Sequence, residues 1–511
     1  MSDAGVIPPK ALILGIDGGS LDVIEPLLAQ GLLPNLGTLL GVSLHGATTT
    51  TWPAHTAPGW TTFVTARQPG GHGIYQFFDT QHPEYGDRIV GSGDFGCSTV
   101  WEWLARQGLS VGLVNVPMSH PPIDVPGYQV TWPLVQTLRY SRPSGLLGEL
   151  SAAGAPFTSD LLTMYQGDLG YADFAVANVH ARSRSIRHLL TTRPVDVVMA
   201  VLTEVDRVCH HYWHFADPCH PRHDHAPRDD DWAQAIRRTY AAVDEMVGEV
   251  LELVGDETTV VVVSDHGFGQ GRQHVGVNTV LAEAGLLATR SAANPYASWF
   301  SAEGRTVDFA RTAAYMPTPG SYAINFNLDG RQREGRVTQR DLPALTEEIS
   351  GIFAGLTDPQ SGRRTFAAVL PRAEAYPGAM GHAAPDLLLV PADQGVLADP
   401  SIGGDVWRSS YQSGMHRYSG MWAIRSPRVT PGRHPDPVAL HDVIPTLLHD
   451  LGLRQPGSVA GRPIPAVTAQ HPDVQPYLPD VASVRTPGDP DPRRVRDDDL
   501  TAKALAAMGY L

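Results

Sequence analysis

The sequence predicts an α/β fold in which a largely parallel central sheet is flanked by helices and carries a smaller inserted cap subdomain. Three observations predict it. Short unbroken apolar runs end in turn residues, as strands buried on both faces do. Amphipathic stretches at helical spacing lie between them. A carboxylate follows several of the runs, at the position where open α/β sheets bind their ligands.

The runs are Ala11–Ile16 (ALILGI), Val111–Asn115 (VGLVN), Asp196–Leu202 (DVVMAVL), Thr259–Ser264 (TVVVVS), Leu387–Val390 (LLLV) and Met421–Ile424 (MWAI). After the first, Leu21–Gln30 reads as a helix closed by Gly31, a residue that takes the left-handed C′ conformation at little cost. Thr99–Gln107 and the longer Trp232–Val254 also carry apolar side chains at helical spacing. Between about Val275 and His382 the rhythm changes to a helix-like Val277–Gly285, an alternating Ala323–Leu328 and a helix-like Leu342–Leu356. The predicted organisation is thus a main domain opened by residues 1–274, an inserted α+β cap at 275–380, the rest of the main domain at 381–470, and an arm at 471–511. The arm contains RTPGDPDPRRVRDDD, which has the composition of a flexible segment, and it ends on a short apolar LTAKALAAMGYL with the pattern of a terminal helix.

Composition narrows the function classes. With 511 residues, 42% hydrophobic and 18% charged, the chain has the balance of a folded globular protein. A formal net charge of −15 argues against a nucleic-acid polymer as partner. An anionic substrate would then need a local positive site, which metal ions supply. The three cysteines (Cys97, Cys209, Cys219) form no disulfide framework and suit a reducing compartment. The opening MSDAGVIPPK has no apolar core of a signal peptide, and the apolar runs fall far short of the about 20 residues that span a bilayer. The expectation is a cytoplasmic protein with no membrane partner and with an oligomeric state that the sequence leaves open.

Five groups of residues are candidates for chemistry. Asp265-His266-Gly267 follows TVVVVS and offers a carboxylate and an imidazole side by side, two ligand types that metals accept. A polar strand-to-loop turn would read the same way. Asp206 and His210, four apart in TEVDRVCHHYWH, share a face on a helix and suit one metal, or form an ordinary surface pair. The histidines that follow (His211, His214, His220, His223, His225) read as packing or solvent-facing residues rather than as a site of their own. Asp17 in LGIDGG stands between the first strand and a helix, as a ligand or as an N-cap. Thr56 opens TAPGWTTFVTA, with Pro58 in the tolerant first turn; a hydroxyl at a helix N-terminus suits a phosphate, and it also suits a cap. His416, in SGMHRYSGMW, carries no local signal.

Taken in order, these segments resemble the type I phosphodiesterase/nucleotide pyrophosphatase branch of the alkaline phosphatase superfamily. The blocks are LGIDGGSLDVIEPLLAQGLLPNL, TAPGWTTFVTARQPGGHGIYQF, VWEWLARQGLSVGLVNVPMSHPP, TEVDRVCHHYWH, SDHGFG with VNTVLAEAGLL, APDLLL, GMHRYSGMW and DVIPTLLHDLGL, spanning about residues 11–455. The resemblance implies an alkaline phosphatase-like fold and a hydrolase of small organic phosphate esters, diesters or pyrophosphates, working through a threonyl-phosphate. It implies two divalent metal ions, zinc by family habit and manganese as an alternative. Asp206, His210 and His416 would hold one, and Asp17, Asp265 and His266 the other, with Thr56 as nucleophile and remaining ligand. Related activities of the superfamily, on phosphomonoesters or phosphonates, or transfer to an alcohol, use the same site. A monoester needs an added cation, for which Arg207, Arg272 and His274 are the substrate-binding candidates. A catalytically silent binding protein would be expected to lack one of these ligands, and none is lost. The chain departs from the family in having Gly59 where nucleotide pyrophosphatases place an Asn that holds a phosphoryl oxygen, and Ala66 where a Gly is common. No sulfatase-type signature occurs. Specificity is expected from the 275–382 insert, the His72–Asp79 segment and the His-rich loop after His210.

Overall fold

The computed structural model describes residues 7–86, 88–132, 141–158, 167–223, 230–292, 299–302, 304–410, 412–469 and 477–479. The proposed arm and its terminal helix, and His225, therefore lie outside the described residues.

The strands used below are β1 (Ala11–Ile16), β2 (Leu44–Thr49), β3 (Val111–Val116), β4 (Gly127–Thr131), β5 (Val197–Leu202), β6 (Thr259–Val263), β7 (Gly267–Gln270), β8 (Gly414–Arg417) and β9 (Ser419–Arg425). The central sheet runs β2-β9-β6-β1-β5-β3-β4, with short flanking segments at both edges. From β6 to β4 all neighbours are parallel, while β9 runs antiparallel to both β6 and β2.

Alternation within the runs explains their unbroken apolar character. Ala11 and Ile13 pack on one face of the sheet, and Leu12, Leu14 and Ile16 on the other. Val261 and Val263 repeat this against Val260 and Val262. Burial of such side chains contributes roughly 1.5–3 kcal/mol each, and a polar residue on these faces needs a partner, as Thr259 finds in Asp450 at 2.7 Å. The helices Gly170–Thr192, Glu204–Ala216 and Asp230–Val254 supply the second face, and Thr56–Thr65, Val100–Arg106 and Val443–Asp450 supply the first. The helix Val100–Arg106 begins at a capping box between Thr99 and Glu102. Gly31 has φ +71°, as its C′ position requires.

Two elements differ from the sequence expectation. The run Leu387–Val390 is not a strand of the central sheet. It lies in Leu387–Pro391, which pairs antiparallel with Ala323–Phe326 and Phe366–Pro371 inside the insert. A four-residue apolar run has the same signature in either sheet, and only its partners distinguish them. The 23-residue helix Gly170–Thr192 carries no clear apolar stripe because it buries Asn178, Arg182, Ser183 and Ser185 alongside its apolar residues. The inserted region has its own core, which includes Val277, Leu281, Ile324, Phe353 and Leu387 and extends to Val396 and Ile402. No single helix among the described residues is long and apolar enough to cross a membrane.

Below the site, buried His72 braces the Thr56–Thr65 helix. Its Nδ1 accepts from the Ile74 N–H at 3.1 Å, so Nε2–H is left to donate to Thr62 Oγ1 at 2.9 Å. Burial, helped by Arg67, lowers its pKa from the ordinary 6.5 to about 3. The unfolded chain therefore binds this proton first as pH falls. The stabilising contribution is complete above pH 6.5 and declines from there toward pH 3, by at most about 1.4 kcal/mol per pH unit. Urea unfolding between pH 4 and 7 should show a shallower pH slope for His72→Gln than for the wild type. Equal slopes would show that His72 is not the group responsible.

Candidate active site

Three neighbouring strands, β6, β1 and β5, end in the carboxylates predicted to carry chemistry. Asp17 follows β1 directly, and its N–H donates to Leu202 O of β5 at 2.9 Å. Asp265 lies just beyond β6, and Asp206 in the first turn of the helix after β5. All three are at most 1% exposed. Their convergence follows from the parallel register, which pairs Gly15 with both Val201 and Val263 and so brings the three strands to the same level.

The histidines arrive from different directions. His210 lies one turn after Asp206, with Nε2 at 3.5 Å from Asp206 Oδ1. His266 follows Asp265; its Nε2 is 3.3 Å from Asp265 Oδ2 and 3.6 Å from Asp17 Oδ1. His416 comes from β8, which pairs antiparallel with β7 and places His416 opposite Phe268. That ribbon folds His416 Nε2 to 3.1 Å from both Asp206 Oδ1 and His210 Nε2. The rings of His266 and His416 stack at 3.8 Å, so the two ligand groups adjoin. Thr56 is fully buried, with Oγ1 at 3.4 Å from Asp17 Oδ1 and 3.5 Å from His266 Nε2. All seven residues singled out in the sequence therefore meet in one cluster.

The donor set fits divalent cations. Nδ1 of His210, His266 and His416 faces the carbonyls of Gly414, Gly267 and Ala54 at 3.0, 3.1 and 2.9 Å. Those carbonyls take the ring proton at Nδ1 and leave each Nε2 as an inward-facing lone pair. The ligand atoms of Asp17, Asp265 and His266 lie within 4.8 Å of one another, as do those of Asp206, His266 and His416. Among the described residues no hydrogen-bond donor reaches the buried Asp265 Oδ2. Burial, reinforced by Asp17 and Asp206, pushes the Asp265 carboxyl well above its usual range. Burial likewise lowers His266 and His416. Burial also opposes the charge on Asp206, but His210 and His416 outweigh it and hold that carboxyl well below its usual range. Crowded buried carboxylates facing imidazole lone pairs form a stable arrangement when cations lie between them.

The surroundings revise several expectations. Thr56 is not an N-cap: His55 caps the helix, its Nδ1 accepting from the Ala57 N–H at 3.2 Å. The first turn also has fewer amides for an anion than its position implied, since Pro58 has none and Gly59 donates to His55 O at 2.9 Å. Gly59 packs on the Asp265 carboxylate. A Cβ there would sit 3.0 Å from Asp265 Cβ and 3.3 Å from Asp265 O, so this backbone geometry disfavours an Asn. Ala66 ends the helix with φ +49°, a left-handed residue where Gly carries no strain. Of the three substrate-binding candidates only Arg207 touches the cluster, with Nη1 at 3.7 Å from Asp206 Oδ2 and its guanidinium 5.9 Å from the Trp132 ring. Arg272 instead pairs with Asp393 and Asp358. His274 links Asp399 (3.2 Å) to Ser410 Oγ (2.9 Å), a buried chain that pins the approach to β8. Of the later histidines, His220 faces Gly271 O and His223 faces His214 O, both of them loop-packing contacts.

Sequence reasoning missed two positioning groups. Glu204, held by Arg182 and by Asn178 at 2.7 Å, anchors the start of the helix that carries Asp206 and His210. Trp60 donates Nε1–H to Asp17 Oδ2 at 3.0 Å, leaving Oδ1 toward Thr56. Its spacing of four from Thr56 was the available signal, because it puts both side chains on one helical face. Gly15 makes room for it, since a Cβ there would lie 2.4 Å from the indole. Trp60→Phe, which keeps most of the volume and deletes the donor, is expected to weaken metal affinity about tenfold or more, in line with other groups that orient ligands. Calorimetric metal titration checks this, and an unchanged affinity would remove Trp60 from the site.

The fold is shared with known proteins. Solved structures similar over 87% of this chain include murine ectonucleotide pyrophosphatase/phosphodiesterase 5, an inactive form in complex with AMP, at 14% identity, 95% coverage of that chain and a TM-score of 0.52. Phosphonoacetate hydrolase from Sinorhizobium meliloti 1021, in complex with phosphonoacetate, matches at 14% identity, 98% coverage of that chain and a TM-score of 0.51. At this identity the likeness establishes the alkaline phosphatase-like fold. No curated protein matches the chain significantly. The model of the type I phosphodiesterase/nucleotide pyrophosphatase family matches residues 11–419. The chain therefore belongs to the type I phosphodiesterase/nucleotide pyrophosphatase family and is a phosphoric ester hydrolase.

Proposed function

We propose that the protein is a metal-dependent hydrolase of small organic phosphodiesters or pyrophosphates, with Thr56 as its nucleophile. The observation that carries this reading is the position of Thr56 Oγ1, within 3.5 Å of both Asp17 Oδ1 and His266 Nε2 at the start of a helix. Asp206, His210 and His416 would hold one cation, and Asp17, Asp265, His266 and Thr56 the other. Zinc suits these nitrogen and carboxylate donors, and manganese is the alternative. Such cations lower the pKa of a coordinated hydroxyl and neutralise charge on the phosphoryl and leaving oxygens.

The chain's own residues supply position and proton control. Thr56 Oγ1–H is aimed at Asp17 Oδ1, and the Trp60 indole fixes that carboxylate. Attack forms the Thr56 Oγ–P bond as the ester oxygen leaves with its electron pair. Water then cleaves the threonyl-phosphate, and two in-line displacements retain configuration at phosphorus. Diesters are favoured over monoesters because, of Arg207, Arg272 and His274, Arg207 alone reaches the cluster and it faces Asp206.

The test compares 4-nitrophenol release from bis(4-nitrophenyl) phosphate and from 4-nitrophenyl phosphate by metal-loaded protein. The diester should be the faster substrate by about tenfold or more in kcat/KM. Faster monoester turnover would favour a phosphomonoesterase, and no turnover of either would overturn the reading.

A further inference from the structure

A cleft opens directly on the ligand cluster. His55, His210 and His416 lie at its base, and it has a cavity volume of about 50 Å³ behind an open mouth. Its walls include Trp52, Pro319, Tyr322, Leu397 and Met415, and its other polar side chains are the amides Gln394 and Gln412. Among the described residues no Lys, Arg, Asp or Glu lines it. An acidic protein of this net charge thus keeps charge of either sign out of the space beside its reactive centre.

The apolar wall is held in place rather than left to settle. Trp52 stacks on Tyr418 with centroids 4.9 Å apart and planes 8° from parallel. Tyr322 holds φ +49°, a left-handed conformation that an aromatic residue keeps only where the surroundings enforce it. Its hydroxyl donates to Val396 O at 2.8 Å, next to Leu397, so its hydrogen-bonding capacity is spent within the wall. Gln394 is engaged too, its Oε1 accepting the Tyr418 N–H. Pro319 and Tyr322 come from the insert and Met415 from β8, so the cleft exists only where the insert closes on the strand ends.

We infer that this cleft receives an uncharged, apolar ester arm, aryl or alkyl, and rejects an arm bearing a carboxylate or a second phosphate. The inference rests on the phosphodiesterase reading above and narrows it, since it separates neutral diesters from pyrophosphates. A charged arm lying along this wall would lose its hydration and meet no charged side chain to pair with, whereas a ring would exchange water for apolar wall. A site that leaves a buried charge unpaired discriminates more strongly than one that merely lacks a contact.

Binding to metal-loaded Thr56→Ala protein tests this free of leaving-group effects, with diphenyl phosphate compared against bis(carboxymethyl) phosphate by titration calorimetry. Diphenyl phosphate should bind at least about tenfold tighter. Adding Leu397→Lys, at a half-buried wall position, should shrink or invert that ratio by supplying a counter-ion. Equal binding, tighter carboxymethyl binding, or a ratio indifferent to Leu397→Lys would overturn the inference. If neither diester binds while wild-type protein still hydrolyses bis(4-nitrophenyl) phosphate, the inference falls and the phosphodiesterase reading stands. If wild-type turnover is absent as well, both fall.

Discussion

Replacing Thr56 with alanine is expected to reduce turnover of bis(4-nitrophenyl) phosphate by at least about a thousandfold, the scale on which enzymes lose a nucleophile. The fold should survive, for reasons specific to this helix. His55 rather than Thr56 caps it, and alanine is the strongest helix former. The substitution deletes one hydroxyl whose hydrogen bond goes to Asp17 Oδ1. Asp17 keeps its Trp60 donor at 3.0 Å, so the carboxylate should not reorient. Metal content by atomic spectroscopy and the thermal unfolding midpoint should therefore stay near wild type. Near-normal turnover would refute the nucleophile, and collapse of metal content would mean that Thr56 is chiefly a ligand.

His416→Ala is expected to remove about half of the bound metal and to lower activity at least about a hundredfold, the upper range for perturbing a metal shell. His416 Nε2 lies 3.1 Å from both Asp206 Oδ1 and His210 Nε2, so its loss opens that group on one side. The second group, Asp17, Asp265, His266 and Thr56, retains every side chain. The stacked contact with the His266 ring, at 3.8 Å, is the route by which damage could spread. Metal quantitation after dialysis settles this. Unchanged content would remove His416 from the ligand set, and loss of nearly all metal would show that the two groups bind cooperatively.

Asp265-His266, after an unbroken run of valines, stood at a strand end where such sheets place ligands, but a polar turn reads the same way. Asp206 and His210 shared a helical face, but an ordinary surface pair has the same spacing. Thr56, Asp17 and His416 were not legible by local chemistry. A hydroxyl or carboxylate at a helix start has the signature of a cap, and a single histidine has none. Their assignment came from the ordered resemblance of the surrounding blocks. Trp60 and Glu204 escaped because a buried donor or ion pair looks, in one dimension, like any core residue or helix start.

By itself the sequence determined the alternation of strands and helices, because burial on both sheet faces demands continuous apolar runs and the covering helices demand a stripe. It also determined that carboxylates would sit at strand ends. Only the tertiary structure decided which strands are neighbours. The order β6-β1-β5 brings Asp265, Asp17 and Asp206 side by side, and strand order is a long-range pairing that no local pattern encodes. It decided that the Leu387 run belongs to the insert, because an apolar tetrapeptide does not specify its partners. It also decided the cleft, in which Trp52, Tyr322, Leu397 and Met415 meet across more than 360 positions of chain. The ligand chemistry was thus carried by residue type and spacing. The space beside it is set by packing, a property of surfaces that come together only in the folded chain.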